Sequence, residues 1–328
     1  MQYLVFADKR FRSNAIRELK EAFPDYSPSK EIEVTDRFFA AELRESDPAI
    51  ARGFVFVESM VPLVNAMKLE KDYLNVIDAV AEAADGKRFK IEALNIDSDT
   101  GESAKTIEVK IGTELEKRGL SVDLKKPDMF VYVIFSGKKV LIAVGPAESA
   151  ALDAFRANKF EKGEKISRAE FKLKEAIDYF GIDTKKIKLA LDIGAAPGGW
   201  TRHLSNMGAK VIAVDRAALD YEKLNMKNVI HINRKAEELD IKTLGMAKFD
   251  ALLLDVNAAP EDVLKIALRL SDMLERGAYL IMTLKLVTPQ PLGYIKTASE
   301  TLKGKFDSIR FKKLPHNRME ITLFAKRK

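Results

Sequence analysis

The sequence contains no cysteine, which excludes a disulfide framework, a thiolate zinc site and a cysteine nucleophile. Its three histidines, His203, His231 and His316, lie far apart without HExxH spacing, so a catalytic metal is not expected. No apolar run approaches the roughly 18 to 20 residues that a membrane-spanning helix needs. Charges follow the first apolar stretch, residues 3–7, which therefore indicates a strand and not a signal peptide, and we expect a cytoplasmic protein.

An excess of one charge is also nearly absent. The chain has 55 Lys and Arg against 49 Asp and Glu, a formal net charge of +6, which suits a polyanionic partner without proving one. Its 328 residues are more than a single core usually holds, so two or three domains are expected. The sequence does not indicate an oligomeric state.

The pattern of apolar runs divides the chain into three parts. Residues 1–80, with apolar runs such as 53–57, predict a small α+β, ferredoxin-like accessory domain. Residues 81–146 predict a strand, a helix and two strands joined by a turn at 136–138. In residues 147–328, nearly continuous apolar strands alternate with helical stretches, which is typical of a mostly parallel, doubly wound α/β sheet. Ligands of such sheets bind at the carboxyl ends of the strands.

A loop of small residues, DIGAAPGGWT from Asp192 to Thr201, follows the first strand of that sheet and opens a helix. Small residues let a ligand approach the backbone, and the helix N-terminus offers unpaired N–H groups. Asp215 ends the next strand, where a carboxylate can accept hydrogen bonds from both hydroxyls of a cofactor ribose. The loop lacks the GxGxxG spacing of dinucleotide sites and the GKS/GKT ending of a P-loop, which disfavours a dehydrogenase.

The form DxGxxPGGW resembles the cofactor loop of FtsJ/RrmJ-like RNA ribose methyltransferases. Four further residues are similar, in order and in element, to the Lys-Asp-Lys-Glu tetrad of that family: Lys172, Asp255, Lys285 and Glu320. Each alone could be a solvated helix face, a loop cap or a surface ion pair, and only their joint occurrence favours a site. The resemblance implies a Rossmann-like methyltransferase domain over residues 147–328, S-adenosylmethionine as cofactor and no metal.

Ten residues are the candidates for cofactor binding. They are Asp192, Gly194, Ala195, Ala196, Pro197, Gly198, Gly199, Trp200, Asp215 and Asp255. Trp200 could stack on a base or on the cofactor, but its position one residue into the helix favours a packing role. Relatives commonly place an acidic residue after the third strand for the adenine amino group, whereas this chain has Lys235 there, which leaves Asn233 or Glu237 as candidates.

The reaction explains the tetrad, because a ribose 2′-hydroxyl is a poor nucleophile until its proton is withdrawn. The enzyme must therefore supply a base and an alignment. The resemblance implies that Lys285 is the base and that Lys172 is the neighbouring cation that favours a neutral Lys285 and steers ribose or phosphate. Asp255 is the orienting partner, and Glu320 holds Lys172 and the target hydroxyl in line with the methyl group.

Residues 81–146 resemble a THUMP RNA-binding domain, on SAKT from Ser103, the helix with Ile111 and Gly112, and VDLKKPDMFV from Val122. DVNAAP from Asp255, TLKL from Thr283 and HNRMEITL from His316 are similar to the RlmM branch, whose THUMP-containing enzymes methylate a cytidine ribose in large-subunit rRNA. We therefore expect rRNA as the partner, with tRNA open.

Two other functions stay open. A THUMP-type tRNA base N-methyltransferase usually carries Asn/Asp-Pro-Pro-Tyr/Phe where this chain has DVNAAP from Asp255. A non-catalytic RNA-binding protein on a methyltransferase fold should have lost a tetrad member, and all four are present. Candidate phosphate contacts, each equally well explained as solvated surface, are Lys87/Arg88/Lys90, Lys125/Lys126, Lys185/Lys186/Lys188, Lys312/Lys313 and Lys326/Arg327/Lys328. For His316 a structural hydrogen bond is expected over an RNA contact.

Overall fold

The computed structural model describes residues 1–29, 38–44, 48–70, 73–95, 98, 100–146, 169–224, 226–239, 244, 248–286 and 291–328. The chain divides into two compact units, Met1–Ala154 and Phe155–Lys328. In the described residues no helix is long and apolar enough to span a bilayer. Residues 147–168, the first part of the predicted third domain, lie outside the described residues.

The first unit is a mostly antiparallel sheet with helices. Its elements are β1 (Gln2–Phe6), α1 (Arg12–Ala22), β2 (Ser27–Pro28), β3 (Phe38–Glu42), β4 (Ser59–Lys68), α2 (Leu74–Ala84), β5 (Phe89–Asn95), α3 (Ala104–Lys117), β6 (Met129–Ser136) and β7 (Lys139–Pro146). The described strands lie in the order β2-β3-β1-β4-β7-β6-β5, with β5 and β6 parallel. Gly137 has φ +56° in the turn between β6 and β7, which confirms the predicted hairpin.

Two elements link the domains predicted on either side of residues 80 and 81. The first residues of β4 pair with β1 and its later residues pair with β7, so one strand belongs to both halves. Helix α2 runs through the division and packs into the same core as β5, β6 and α3. The separate accessory and THUMP domains therefore stay a prediction.

The apolar run 53–57 does not form a strand. Its backbone N–H groups at Val55, Phe56 and Val57 donate to the carboxylate of Glu18 on α1, over 2.6 to 3.2 Å. This buried carboxylate satisfies the donors that a sheet ladder would otherwise use. A local apolar pattern carries no information about such a distant acceptor.

The second unit is the predicted mostly parallel α/β sheet. Its elements are α4 (Ala169–Phe180), β8 (Leu189–Ile193), α5 (Gly199–Asn206), β9 (Lys210–Val214), β10 (Val229–Ile232), β11 (Phe249–Leu254), α6 (Pro260–Leu270), β12 (Leu274–Lys285), α7 (Pro291–Leu302), β13 (Phe306–Lys312) and β14 (Glu320–Arg327). The described strands lie in the order β10-β9-β8-β11-β12-β14-β13. The first five are parallel, and β14 runs antiparallel to both β12 and β13.

Both faces of this sheet are covered. Ala251, Leu252, Leu253 and Leu254 of β11 are all fully buried although successive side chains point to opposite faces. From β8 the chain proceeds outward through β9 and β10, then returns to the other side at β11. The strand order therefore reverses between β8 and β11, and the crevice at the carboxyl ends of these two strands is where ligands of such sheets bind.

Candidate active site

The loop that begins at Gly194 occupies this crevice. Gly194 directly follows β8 and has φ +76°, and its N–H donates to the carbonyl oxygen of Val214 over 2.9 Å. A Cβ at Gly194 would lie 3.0 Å from the carbonyl oxygen of Asp255 and 3.1 Å from Cγ2 of Val256. The close approach of the loop to the end of β11 therefore requires glycine at this position.

The second glycine of the loop turns the chain into α5. Gly198 has φ +113°, and a Cβ there would lie 2.9 Å from Cδ1 of Leu224. It follows the cis peptide bond between Ala196 and Pro197 and precedes Gly199, the first residue of α5. The predicted strand-to-helix loop is thus built as the sequence indicates, with the backbone close to its neighbours at both glycines.

Asp192, near the end of β8, carries a buried carboxyl group. The Thr201 hydroxyl donates to its Oδ2 over 2.6 Å, whereas its Oδ1 has no hydrogen-bond partner among the described residues. Burial, with a smaller contribution from the negative charges of Asp255 and Asp215, raises the pKa of Asp192 to about 7. An unsatisfied buried oxygen of this kind suits a cationic ligand group.

Asp215 follows β9, and its carboxylate links the loop after β8 to the loop after β9. Its Oδ2 accepts the N–H of Ala196 over 3.0 Å and its Oδ1 accepts the N–H of Ala217 over 2.8 Å. Each carboxylate oxygen has a second lone pair, so the group can still accept from ribose hydroxyls.

A histidine fixes the backbone of Asp215. Nε2 of His231 lies 3.0 Å from the Asp215 carbonyl oxygen, and Nδ1 lies 2.7 Å from the Tyr221 hydroxyl oxygen. Because a carbonyl only accepts, Nε2 carries the hydrogen, and in the neutral ring Nδ1 accepts from the hydroxyl. The adenine candidates Asn233 and Glu237 are exposed beyond β10, and their role stays a prediction.

Three members of the predicted tetrad meet in one cluster. Nζ of Lys172 on α4 lies 2.7 Å from Oε1 of Glu320 and 3.3 Å from both carboxylate oxygens of Asp255. The side chains of Lys172 and Glu320 are 13% exposed and that of Asp255 is 19% exposed. Because the residues are largely shielded from water, these contacts are stronger than those of a surface pair.

Lys285, the fourth member, lies beside this cluster with a different partner. It is the Cα partner of Glu320 across β12 and β14. Within the described part of the chain it forms no ion pair, and its Nζ donates to the amide oxygen of Asn257. The two lysines therefore differ, since one contacts two carboxylates and the other a neutral amide.

Two polar residues of this site were not predicted. The hydroxyl of Thr283 donates to Oδ1 of Asp255 over 2.6 Å, and Asn257 accepts from Lys285. Both lie two residues from a predicted site residue on the same strand or its extension. Period-two spacing around Asp255 and Lys285 is the sequence signal that could have found them.

A family model described as FtsJ-like methyltransferase matches residues 166–291. This match contains the loop, the α4 lysine and the ends of β11 and β12. Residues 166–291 form an FtsJ-like methyltransferase domain.

The sequence similarity to other proteins extends beyond residues 166–291. The ribosomal RNA large subunit methyltransferases M of two Pseudomonas putida strains are each 28% identical to it. The alignments span 252 residues in strain GB-1 and 279 in strain KT2440, which are 71% and 79% of this chain and 69% and 76% of those proteins. An uncharacterised protein of Methanocaldococcus jannaschii is 33% identical over 120 residues, 37% of this chain, and the alignment spans only 34% of its own length.

Solved structures also align with the chain. TrmN from Thermus thermophilus covers 100% of both chains at 16% identity with a TM-score of 0.40. The fibrillarin pre-rRNA processing protein of Methanococcus jannaschii covers 63% of this chain and 86% of its own at 19% identity, with a TM-score of 0.39. The strand order β10-β9-β8-β11-β12-β14-β13 and its mostly parallel register define the fold of the second unit.

Trp200 lies inside the FtsJ-like domain and not at its loop surface. The residue is 2% exposed, packs in the core beneath α4, and its Nε1–H donates to the Ala169 carbonyl oxygen over 2.6 Å. This geometry favours the packing role over the predicted cofactor contact. By fixing the start of α4, the indole also supports the helix that carries Lys172.

His316 has the structural hydrogen bonds that were expected. Its backbone N–H and its Nδ1 contact the carboxylate of Glu175 over 3.0 and 2.5 Å, and its ring packs against Phe171. Glu175 follows Lys172 by three residues and therefore lies on the same face of α4. The contact between His316 and Glu175 therefore holds the turn before Glu320 against the helix that carries Lys172.

One predicted basic cluster is wrong. Lys312 and Lys313 are each 2% exposed, so neither meets an RNA backbone. Nζ of Lys313 donates to the carbonyl oxygen of Asn317 over 2.5 Å, and Nζ of Lys312 lies 5.0 Å from the centre of the Tyr179 ring. Among the other clusters, the residues with exposed side chains are Lys87, Arg88, Lys125, Lys126, Lys185, Lys186, Lys188, Lys326 and Lys328.

Proposed function

We propose that this protein is an S-adenosylmethionine-dependent RNA 2′-O-methyltransferase that acts on ribosomal RNA. The observation that carries the proposal is the cluster of Lys172, Asp255 and Glu320 beside Lys285, at the carboxyl edge of an FtsJ-like sheet. Asp255 joins the two parts of the site, because its carbonyl oxygen faces Gly194 of the loop while its carboxylate faces Lys172.

The residues present fit the cofactor. Asp192 offers an unsatisfied buried oxygen, Asp215 offers acceptors for ribose hydroxyls, and Gly194 brings backbone to the crevice. When bound, S-adenosylmethionine supplies a sulfonium-activated methyl group and keeps the electron pair of the broken carbon–sulfur bond. The protein then has only to orient the acceptor and remove its proton.

Lys285 is the base in this proposal. Among the described residues Lys172 contacts two carboxylates, whereas Lys285 contacts the amide oxygen of Asn257. A neutral Nζ at Lys285 takes the proton of the ribose hydroxyl as that oxygen becomes methylated. Glu320, which contacts Lys172 and is the Cα partner of Lys285, aligns the hydroxyl.

Ribosomal RNA is proposed as the substrate because the Pseudomonas putida relatives are named large-subunit rRNA methyltransferases. The resemblance to the RlmM branch makes a cytidine ribose the first candidate within it. A net charge of +6 and the exposed lysines at positions 125, 126, 185, 186 and 188 suit phosphate contacts.

The test is methyl transfer to unmodified large-subunit rRNA transcripts, with unmodified tRNA alongside and S-adenosylmethionine carrying a tritiated methyl group. A methylated 2′-oxygen cannot attack its own 3′-phosphate, so alkaline digestion should leave the label in dinucleotides. Label in mononucleotides would show base methylation and contradict the proposed acceptor. No label in either RNA would contradict the proposed activity, and label confined to tRNA would contradict the rRNA assignment.

A further inference from the structure

Strand register places polar residues in two rows across the site. Leu254 of β11 pairs with Met282 of β12, so one step further Asp255 lies beside Thr283. Two residues beyond, Asn257 lies beside Lys285 on the same face. On the other side of β12, Thr283 pairs with Thr322 of β14 and Lys285 pairs with Glu320 of β14. Each tetrad residue on these strands therefore has a polar neighbour set by register.

We propose that Thr283 is a positioning residue of this site, whose hydroxyl fixes the Asp255 carboxylate in the orientation from which Lys172 is shared with Glu320. The inference rests on the proposed function. Its first support is distance, because the Thr283 hydroxyl lies 2.6 Å from Oδ1 of Asp255 while Nζ of Lys172 lies 3.3 Å from either carboxylate oxygen. The shorter, charge-assisted hydrogen bond therefore sets the carboxylate orientation.

The second support is rigidity. Thr283 is 3% exposed and lies in the middle of the paired segment of β12 and β14, so its backbone is held on the β14 side by the ladder. Its β-branched side chain has few χ1 choices in a strand. A hydroxyl that is shielded from water and held in one rotamer gives Asp255 a fixed donor, whereas the long Lys172 side chain can move.

The third support is the position of Asp255 between the two halves of the site. Its N–H donates to the carbonyl oxygen of Ile193 at the end of β8 over 3.2 Å, and its carbonyl oxygen faces Gly194. A rotation of its carboxylate would move Lys172 relative to the loop that holds the cofactor. Misplacement by about 1 Å costs roughly 100-fold in rate, so the effect of losing Thr283 is measurable.

The test compares Thr283→Val, which keeps the shape and removes the hydroxyl, with the wild type in single-turnover methyl transfer to rRNA. We expect the rate constant to fall roughly 10- to 100-fold, with the KM for RNA and the Kd for S-adenosylmethionine unchanged. Thr283→Ser should keep the wild-type rate, whereas Thr283→Ala should show the same fall as the valine variant. The serine and alanine variants differ only in the hydroxyl. That second pair decides the question even where the valine variant fails to fold.

The control is Ser271→Ala. Ser271 is fully buried just before the start of β12, and its hydroxyl donates to the Leu268 carbonyl oxygen over 2.6 Å. We expect a loss of unfolding free energy with no change in transfer rate. Full activity in Thr283→Val, or equal losses in the serine and alanine variants at position 283, would overturn the positioning role. An inactive wild type would instead refute the proposed function on which the role depends.

Discussion

Lys285 and Glu320 are Cα partners in the antiparallel ladder between β12 and β14, yet their side chains contact different groups. Glu320 reaches across to Lys172 on α4 over 2.7 Å, and Lys285 contacts Asn257 beyond the end of β11. The strand pairing brings Lys285 next to the cluster, but its side chain contacts the amide of Asn257 and not a carboxylate. Lys172 therefore contacts two carboxylates, whereas Lys285, the candidate base, contacts a neutral amide.

Lys285→Ala should lose methyl transfer, because removal of a general base costs roughly 100- to 10,000-fold in rate. Calorimetry should show unchanged binding of S-adenosylmethionine, since the loop from Gly194 to Gly198 is not altered. Lys265→Ala removes an exposed lysine of α6 and is the matched control, with wild-type turnover expected. An unchanged rate in the Lys285 variant would remove that residue from the mechanism.

Lys172 and Glu320 should be coupled in stability. Lys172→Met leaves the carboxylates of Asp255 and Glu320, 19% and 13% exposed, without their shared cation. Adding Glu320→Gln removes one of these charges and should recover part of the loss, giving a coupling free energy of about 1 to 3 kcal/mol. Urea unfolding of the four proteins of the cycle measures it. Strictly additive losses would show that the ion pair contributes nothing to folding.

Residues that follow a local pattern were predicted well. The strands β8, β9, β11, β12 and β14 and the hairpin at Gly137 follow from apolar runs and turn residues that act over a few positions. The edge strand β13 was not predicted, because exposed residues and a register shift between Asp307 and Arg310 interrupt its pattern.

Residues whose setting depends on distant chain segments were predicted poorly. Lys312 was taken as a surface charge, but it lies by the ring of Tyr179, a residue of another element. The spacing of Thr283 from Lys285 could have marked it as a candidate, but only the register of β11 against β12 shows that it lies beside Asp255. The tetrad itself was found through resemblance to a family, because isolated lysines and carboxylates carry no local signal.

Asp192 should make the stability of the cofactor-free protein depend on pH. Its carboxyl group has a pKa of about 7 when buried against 3.8 as its ordinary value, so the folded state keeps a proton that the unfolded chain releases. The stabilisation is fully present below pH 3.8 and is lost as pH rises through 7, by on the order of 4 kcal/mol. Urea unfolding from pH 5 to pH 8 should show the decline.

Asp192→Asn removes this titration, so its unfolding free energy should decline less over the same pH range. Asp307→Asn, which changes an exposed carboxylate of β13, should keep the wild-type decline. Parallel curves for the wild type and the Asp192 variant would contradict the assignment of the decline to this buried group.

Gly194→Ala should damage both folding and cofactor binding. Its φ of +76° costs a residue with a Cβ about 1 to 2 kcal/mol. The new Cβ would also lie 3.0 Å from the Asp255 carbonyl oxygen, so the loop or the end of β11 has to move. We therefore expect a loss of unfolding free energy together with weaker binding of S-adenosylmethionine in calorimetry.

Gly208→Ala separates the two causes. Gly208 has φ +89°, but a Cβ added there would meet no described atom within 4 Å, so its substitution carries the backbone cost without the close contact. We expect a smaller loss of unfolding free energy there and unchanged cofactor affinity. Equal losses at both positions, with cofactor binding intact in each, would show that the approach of Gly194 to Asp255 does not shape the cofactor site.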